Sequence, residues 1–359
     1  SYLLAPNSRT HRLKDLAWGL LGRKMVTFED LLEDGKDIRA VRSRDLAAYC
    51  VADARACWDL CETLLPRLRQ EGLEGLYRQV ELPLVSVLAD MERRGIPVNA
   101  RVLEEGAEKV RRELVSLEEE IYRLAGTRFK ISSSQQLGTV LFEVLGLPAQ
   151  GRTSKTKSWS TDSGALARLA HVPVVDRVMA YRSGRKVLST YLEGLLPQIA
   201  ADGRIHCHFN QAVTATGRLS SSGPNLQNIP AAPLAGVDVR QAFEAPLGKV
   251  LLSADYSQIE LRLMAHCAQD RALMEVFERG GDIHGATAQR LFAGSGLSAQ
   301  EMRHRAKVIN FSILYGSGPY SLSQELGVPF GQAREMIDAY FETYAGVRAF
   351  MDHTITAAR

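Results

Sequence analysis

Apolar side chains recur every three or four residues through much of the first 200 residues, which places them on one face of an α-helix. One such helix is predicted over residues 46–64, with a break at Pro66. A longer helix packed against another is predicted over residues 100–126. The repeats are formed by Leu46, Tyr49, Ala52, Asp53, Ala56, Leu60 and Leu64 in the first helix, and by Val110, Leu114, Leu117, Ile121 and Leu124 in the second.

Shorter segments connect these helices. A helical segment begins near Val80 and ends at a turn marked by Gly95 and Pro97. Residues 132–136 are typical of an N-cap, and the helix they begin ends near Gly146, so it should form a hairpin with the helix over 100–126.

Two other segments lack a helical repeat. Residues 151–162 combine Gly, Ser, Thr and basic side chains, which predicts a mobile exposed loop that suits a phosphate backbone; a solvated linker is the alternative. Residues 214–230 are dense in Gly, Ser, Asn, Gln and Pro and predict irregular backbone. Amide and guanidinium groups there suit the acceptors of minor-groove base edges, although a structural surface loop would have the same composition.

A short apolar run formed by Val250, Leu251 and Leu252 predicts a central strand that ends just before Asp255. A carboxylate at a strand end is well placed to bind a divalent cation that bridges phosphate oxygens. The alternative is that Asp255 caps a helix that begins near Ser257.

Two cations and two aromatic residues recur every four residues after position 300. They are Arg303, Lys307, Phe311 and Tyr315. On a helix this stripe extends over about 18 Å, at 1.5 Å per residue. The cations suit phosphates and the rings suit sugar and base planes. The alternative is an ordinary helix that is exposed to solvent at one end and buried at the other. Gly316 fits the C-cap of this helix or a hinge.

Composition limits the class of protein. With 359 residues, two or more domains are expected. The net charge of +3 requires nucleic-acid binding to come from local patches. Five cysteines without zinc-site spacing, no apolar run long enough to cross a bilayer and no signal pattern together predict a cytoplasmic protein.

Three motifs resemble the family A DNA polymerases, the bacterial DNA polymerase I type. They are DYSQIELR from Asp255, K-x3-F-x3-YG from Lys307 with Arg303 before it, and TATGRLSSSGPNLQNIP over residues 214–230. The resemblance implies a mostly helical α+β fold: a partial polymerase right hand preceded by the C-terminal part of an RNase H-like exonuclease domain. The implied domains are 1–79, exonuclease-like; 80–200, thumb and connecting helix; 201–268, first part of the palm; and 269–359, fingers.

The resemblance also implies roles for residues of the nucleotide site. Asp255 and the backbone carbonyl of Tyr256 would bind the two catalytic Mg²⁺ ions, and Glu260 would exclude a ribose 2′-hydroxyl, unless it is a surface acid paired with Arg262. His284 would contact the triphosphate, with a capping or core histidine as the alternative, and Phe311 in place of Tyr would disfavour dideoxynucleotides. The implied catalytic residues are Asp255 and Lys307, and the implied deoxynucleotide contacts are Arg303, Lys307, Phe311, Tyr315, Glu260, Gln258 and His284.

Further residues are implied to contact DNA. The set consists of Arg218, Asn225, Gln227, Asn228, Arg182 and Lys186, with Ser132, Ser133 and Ser134 as additional backbone contacts. Tyr49 and Asp53 resemble the third exonuclease motif, in which Asp53 would bind metal and Tyr49 would orient the attacking water.

The expected activity is template-directed DNA synthesis in replication-associated gap filling and repair, by a monomer whose partners are primer-template DNA and deoxynucleoside triphosphates, with no membrane partner. The family's His-Asp-Glu palm motif is not found, and MDHT at Met351 has the reversed order in a helical context. We therefore expect a truncated polypeptide, inactive alone because the second palm carboxylate is missing. The alternatives are a fragment of a 3′–5′ proofreading exonuclease and a non-catalytic DNA-binding remnant.

Overall fold

Helices predominate in the computed structural model, which describes residues 1–32, 37–149, 151–153 and 157–358. The mostly helical α+β class is confirmed. Contacts divide the chain into two compact units, Ser1–Leu251 and Leu252–Arg359. This division falls inside the predicted palm segment 201–268, and the four predicted domains stay predictions.

The first unit begins with helices joined by short turns. Its helices are α1 (Leu13–Leu21), α2 (Phe28–Leu32), α3 (Ser43–Gln70), α4 (Glu74–Leu76), α5 (Leu82–Arg94), α6 (Ala100–Ala125), α7 (Ser134–Gly138), α8 (Ser163–Ala167), α9 (Pro173–Lys186) and α10 (Glu193–Leu195). Wider π-helical turns at Tyr77–Glu81, Thr139–Val144 and Val187–Leu192 continue α4, α7 and α9, and 3₁₀ turns lie at Ile38–Ala40, Leu196–Gln198, Leu226–Asn228 and Val239–Ala242.

Helix α3 continues through Pro66, so the predicted break there is wrong. A proline inside a helix removes one N–H donor and crowds the preceding turn, which disfavours but does not forbid the helix. Buried Leu60 and Leu68 lie on either side of Pro66. Their packing holds both halves of α3 and outweighs the local preference.

Helix α6 confirms the predicted long helix, and its main partner is α9. The two helices approach closely because glycines face large side chains: a Cβ on Gly184 would lie 3.1 Å from Leu114, and one on Gly106 would lie 3.2 Å from Leu192. Near its C-terminal end α6 shares a hydrophobic cluster with α7. The predicted hairpin therefore describes that end, whereas α9 covers most of the helix.

Two short antiparallel ribbons complete the first unit. Strand β1 (Ile96–Pro97) pairs with β2 (Arg204–Ile205), and β3 (His208–Asn210) pairs with β4 (Ser220–Ser222). The turn predicted at Gly95 is required by the first ribbon: Gly95 has φ +58°, and a Cβ there would lie 2.7 Å from the carbonyl oxygen of Ile205. Within the predicted loop over 151–162, residues 154–156 lie outside the described residues.

The second unit is built from helices around one core. Its helices are α11 (Ile259–Ala268), α12 (Arg271–Glu278), α13 (Ile283–Phe292), α14 (Ala299–Leu314), α15 (Pro319–Leu326), α16 (Phe330–Thr343) and α17 (Ala345–Ala357). Buried side chains from each of them form a continuous cluster, and α13 lies along α14. This packing decides which face of α14 remains accessible.

The predicted central strand over 250–252 is wrong. These residues are irregular, and Val250 and Leu252 are 86% and 90% exposed. An apolar run becomes a strand when neighbouring strands take its backbone hydrogen bonds. Within the described residues no strand pairs with this segment.

All five cysteines are free thiols; Cys207 is buried and the others are exposed. No helix in the described part of the chain combines the length and apolar character needed to cross a membrane.

The α6 packing gives a first prediction. Leu103→Ala should lower the free energy of unfolding by about 2–5 kcal/mol, because Leu103 is fully buried in the cluster that α6 shares with the turn Val187–Leu192. Val115→Ala, on the same helix but 65% exposed, should change it by less than about 0.5 kcal/mol. Urea unfolding followed by circular dichroism measures both, and equal effects of the two changes would contradict the packing described.

Candidate functional site

The predicted stripe of cations and aromatic rings lies on α14. Ser298 caps this helix by accepting a hydrogen bond from the Glu301 N–H at 3.2 Å. Arg303 and Lys307 are exposed, and Tyr315 is the C-cap residue. Gly316 follows in the left-handed conformation with φ +71°, as predicted for a C-cap glycine. The opposite face is buried through Ala306, Ile309, Asn310, Ser312 and Ile313.

Arg303 is held by a residue that the sequence did not single out. Its Nε donates to Asp282 Oδ2 at 2.7 Å and its Nη2 donates to Asp282 Oδ1 at 3.2 Å. The hydrogen bonds from Arg303 hold the pKa of Asp282 below its usual value. Asp282 also caps α13 by accepting from the His284 N–H at 3.2 Å. An Asp at the N-cap position of a helix is the signal that would have found it.

His284 lies near the start of α13 with its side chain buried. Its ring centroid is 5.6 Å from that of Phe311. The imidazole Nδ1 lies 3.0 Å from Nδ2 of Asn310. Burial is the largest cause that lowers the pKa of His284, and Arg303 and Lys307 lower it further. The imidazole is therefore neutral beside the two cations of α14.

Asp255 is exposed at the end of the irregular segment, without the buried strand that was predicted to hold it. The alternative that Asp255 caps the next helix is also wrong. The N-cap residue of α11 is Gln258, which adopts the left-handed conformation (φ 53°, ψ 40°) and makes no side-chain cap. Asp255 thus lies on the exposed, irregular segment that leads into α11.

Glu260 connects this segment to the end of α14. The hydroxyl of Tyr315 donates to Glu260 Oε1 at 3.0 Å. Arg262, predicted as an alternative partner of Glu260, donates to the carbonyl oxygen of Ser257 at 3.0 Å and lies over the ring of Phe277. The carboxylate of Glu260 is therefore oriented toward the aromatic end of the stripe.

The oxygen ligands at Asp255 are of the type that Mg²⁺ prefers, but there are too few of them to fill its coordination shell. Magnesium is commonly bound by one or two carboxylates together with water and substrate phosphates. The Asp255 carboxylate and the carbonyl of Tyr256 match that type of partial donor set. In the described ranges no group of three or more His, Cys, Asp or Glu residues could hold a metal ion. The set fits an ion that arrives with a triphosphate better than a permanently bound one.

The polar segment over 214–230 belongs to the first unit and is mainly irregular, as predicted, apart from β4 and one 3₁₀ turn. Asn225 Oδ1 accepts from the Gln227 N–H at 3.1 Å and from the Ser221 hydroxyl at 3.0 Å. Gln227 Nε2 donates to the carbonyl oxygen of Leu219 at 3.3 Å. The exposed predicted contacts Arg218, Asn225, Gln227 and Asn228 are thus carried on a loop held by its own hydrogen bonds.

The two predicted contacts on α9 have different surroundings. The guanidinium of Arg182 is half-buried and donates to the carbonyl oxygen and, at 3.2 Å, to the hydroxyl of Thr161. Burial lowers the pKa of Arg182. Lys186 is exposed. Arg182 therefore anchors the segment before α8, and Lys186 presents its charge to solvent.

The exonuclease-like pair Tyr49 and Asp53 lies on α3, where Lys14 contacts both. The Lys14 ammonium forms an ion pair with the Asp53 carboxylate, and its Nζ lies 4.2 Å from the centroid of the Tyr49 ring. An ammonium there neutralises the carboxylate that would bind metal. Sequence spacing alone does not reveal Lys14, which is 39 residues away.

The Arg303 contact gives a second prediction. Arg303→Gln should raise the pKa of Asp282, because the largest cause that lowers this pKa is removed. Since the lowered pKa belongs to the folded state, the pair stabilises the fold above the ordinary aspartate pKa, and that stabilisation is lost as pH falls through the lowered value. A ¹³C NMR titration of the Asp282 carboxyl measures the change. Arg305→Gln, which removes an ion pair with Glu301 on the same helix, should leave the Asp282 titration unchanged. An unaltered titration in Arg303→Gln would contradict the contact.

The chain resembles known polymerases in both sequence and structure. It is 46% identical over 305 residues to the thermostable DNA polymerase I of Thermus filiformis, covering 84% of this chain and 36% of that protein. It is 44% identical over 339 residues to DNA polymerase I of Lactococcus lactis subsp. cremoris (93% and 38%), and 41% identical over 369 aligned positions to that of Pseudomonas aeruginosa (99% and 40%). The chain thus spans 36–40% of the length of these relatives.

A solved structure has the same fold. The POL domain of Pol1 from M. smegmatis, in complex with DNA primer-template and dNTP, superimposes with a TM-score of 0.85 at 34% identity, covering 100% of this chain and 60% of that one. The family model for DNA polymerase family A matches residues 100–359. This match covers more than half of the sequence and includes α14, Asp255 and Glu260, so the chain belongs to DNA polymerase family A.

Proposed function

We propose that this chain binds primer-template DNA and a deoxynucleoside triphosphate and takes part in template-directed DNA synthesis. The observation that carries the proposal is the hydrogen bond between Tyr315 and Glu260, which joins the segment after Asp255 to the stripe on α14. One unit thereby presents an acidic group, two cations and aromatic rings together. The name of the M. smegmatis complex, which contains primer-template and dNTP, supports the same substrates.

The nucleotide would lie along α14. Arg303 and Lys307 would bind its phosphates, Arg303 as a planar fork and Lys307 as a point charge. Phe311 and Tyr315 would contact the sugar and base planes, and Gln258 would contribute a polar contact. Phe311 gives the site the variant that we expect to disfavour dideoxynucleotides. The stripe, about 18 Å long, matches the reach of a triphosphate, a sugar and a base.

Glu260 would select the sugar. Its carboxylate, held by the Tyr315 hydroxyl, would meet a 2′-hydroxyl that a deoxynucleotide lacks. Crowding and desolvation of that hydroxyl disfavour the ribonucleotide.

The chemistry we propose is phosphoryl transfer. The 3′-hydroxyl oxygen of the primer forms a bond to the α-phosphorus, the bond from that phosphorus to the oxygen bridging to the β-phosphate breaks, pyrophosphate leaves and the hydroxyl proton passes to solvent. Mg²⁺, when bound by Asp255 and the Tyr256 carbonyl, supplies activation of the hydroxyl and charge neutralisation. Lys307 and Arg303 neutralise the negative charge on the triphosphate.

Duplex DNA would be contacted by the first unit. Arg218, Asn225, Gln227 and Asn228 would reach minor-groove acceptors, which every base pair presents, and so would test pair geometry. Lys186 and the serines at 132–134 would contact the phosphate backbone. We propose that the protein acts as a monomer in gap filling and repair. The reducing cytoplasm suits its free cysteines.

Two other functions make different predictions. A proofreading nuclease would degrade primers and lose that activity in Asp53→Asn, but the ion pair between Lys14 and Asp53 disfavours metal binding there. A non-catalytic DNA-binding protein would bind duplex with strong salt dependence and add no nucleotide. The first of the two tests below distinguishes all three.

Primer extension in Mg²⁺ is the direct test, with this chain and with any longer product of the same reading frame. We expect the chain alone to bind primer-template without extending it, because a two-metal site requires a second carboxylate besides Asp255. In an extending product, Asp255→Asn should lower the rate by about a thousandfold, since a metal ligand contributes several kcal/mol. Asp338→Asn, an exposed change on α16, should be neutral. A longer product that binds DNA and Mg²⁺ but never adds a nucleotide would refute the proposal.

Sugar selection is tested separately. In the extending protein, Glu260→Ala should raise the efficiency of ribonucleotide use relative to deoxynucleotide use by about tenfold or more, because the carboxylate that crowds the 2′-hydroxyl is gone. Tyr315→Phe, which removes the hydroxyl that donates to Glu260 but keeps the carboxylate, should shift the same ratio less. Glu275→Ala, which removes an exposed ion pair on α12, should not shift it. The ratio of the two kcat/KM values is measured, and an unchanged ratio in Glu260→Ala would exclude this role.

A further inference from the structure

A network of hydrogen bonds between buried side chains lies behind the stripe on α14. The Tyr344 hydroxyl lies 2.9 Å from the Thr287 hydroxyl, which lies 3.3 Å from the side-chain oxygen of Asn310. The Asn310 side-chain nitrogen lies 3.0 Å from Nδ1 of His284. Tyr344, Thr287 and Asn310 have no exposed surface, and His284 is 4% exposed. Such a network stabilises one arrangement of protons because each buried donor needs an acceptor.

The direction of donation through this network is set at the Tyr344 end. The Tyr344 hydroxyl has no acceptor other than Thr287 among the described residues, so its proton must point to Thr287. Thr287 can then donate to the Asn310 oxygen, while the Asn310 nitrogen lies 3.3 Å from the Thr287 hydroxyl and 3.0 Å from Nδ1 of His284. In the reverse direction the buried Tyr344 proton would have no partner, which is costly. The Asn310 amide has two protons, so in the orientation that the structure shows its nitrogen can donate to His284 whether or not it also donates to Thr287.

The other imidazole nitrogen faces a different environment. Within the described part of the chain, Nε2 of His284 has no hydrogen-bond partner, and no fully buried side-chain nitrogen or oxygen lacks one. Nε2 therefore keeps contact with solvent. The neighbouring ring of Phe311 and the cations Arg303 and Lys307 belong to the stripe that would bind the triphosphate.

Burial is the main reason that the imidazole stays neutral. Burial lowers the pKa of His284, Asp282 at the start of α13 raises it, and the α14 cations Arg303 and Lys307 lower it further, so that the net direction is downward. Helices α12 and α16 also pack against α13, and their charged residues are Arg271, Glu275, Glu278, Arg334, Glu335, Asp338 and Glu342. A neutral imidazole has one nitrogen that donates and one that accepts, so the choice of tautomer matters.

We propose that Asn310 is a positioning residue, which donates to Nδ1 of His284 and thereby fixes the tautomer whose Nε2–H donates to the triphosphate of the incoming nucleotide. This inference rests on the proposed function and names a residue with no contact of its own to substrate. The opposite tautomer would present a lone pair to the phosphate oxygens. Asn310 thus makes a buried histidine a donor without giving it a charge.

Asn310→Asp is the sharpest test, because the aspartate has nearly the same shape but can only accept. His284 should then carry its proton on Nδ1. ¹⁵N NMR of labelled histidine should show the proton on Nε2 in the unaltered chain and on Nδ1 in Asn310→Asp. The dissociation constant for Mg²⁺–dATP should rise about tenfold or more above the imidazole pKa, the loss expected for a hydrogen bond to a charged acceptor. Below that pKa both nitrogens are protonated and the difference should shrink.

Ser312→Ala is the matched control, since it removes the hydrogen bond of another buried polar side chain on α14, from the Ser312 hydroxyl to Glu325, outside this network. It should leave the His284 tautomer and the dATP affinity within about twofold of the unaltered chain, whereas equal losses in both variants would overturn the proposal in favour of a general effect on folding. A proton found on Nδ1 in the unaltered chain would also overturn it, and that measurement requires no substitution.

Binding of dATP distinguishes a failure of the proposed role of Asn310 from a failure of the proposed nucleotide site. If the unaltered chain binds dATP, Lys307→Met weakens that binding and Asn310→Asp does not at any pH, then the role of Asn310 is refuted and the nucleotide site stands. If the unaltered chain binds no dATP, both are refuted.

Discussion

The burial of one face of α14 is the constraint on which the second unit depends. Ala306, Ile309 and Ile313 are packed into the core, and the turn of the helix then sends Arg303 and Lys307 to the opposite, accessible side. These apolar residues determine the rotation of the helix, and Asp282 then holds the guanidinium of Arg303. The accessible position of the stripe is therefore a by-product of core packing.

The parts of the fold that repeat locally could be predicted from the sequence. Helix α6 follows from a repeat of apolar residues every three or four positions. The failures involve interactions that no local pattern encodes. Pro66 sits inside α3 because buried leucines on both sides stabilise the helix, and Val250 is exposed because a strand needs partners that a short window of sequence cannot supply.

The sequence predicted which residue types form the site but not which side chains contact each other. The cations, aromatic rings and carboxylates could be predicted because recognition of phosphates and bases requires those groups. The side-chain partners come from distant positions: Asp282 for Arg303, Lys14 for Asp53 and Thr161 for Arg182. These contacts decide how a group can act, because a cation or carboxylate already paired presents a different field from a free one.

We propose that a deoxynucleotide lies between Asp255 and the stripe on α14. Line broadening by Mn²⁺–dATP in the ¹⁵N spectrum of the chain tests it most directly, because the paramagnetic ion broadens the signals of nearby amides. We expect strong broadening both around Asp255 and along the Lys307–Phe311 part of α14, and none with diamagnetic Mg²⁺–dATP. Broadening confined to one of these surfaces, or to residues of the first unit, would contradict it.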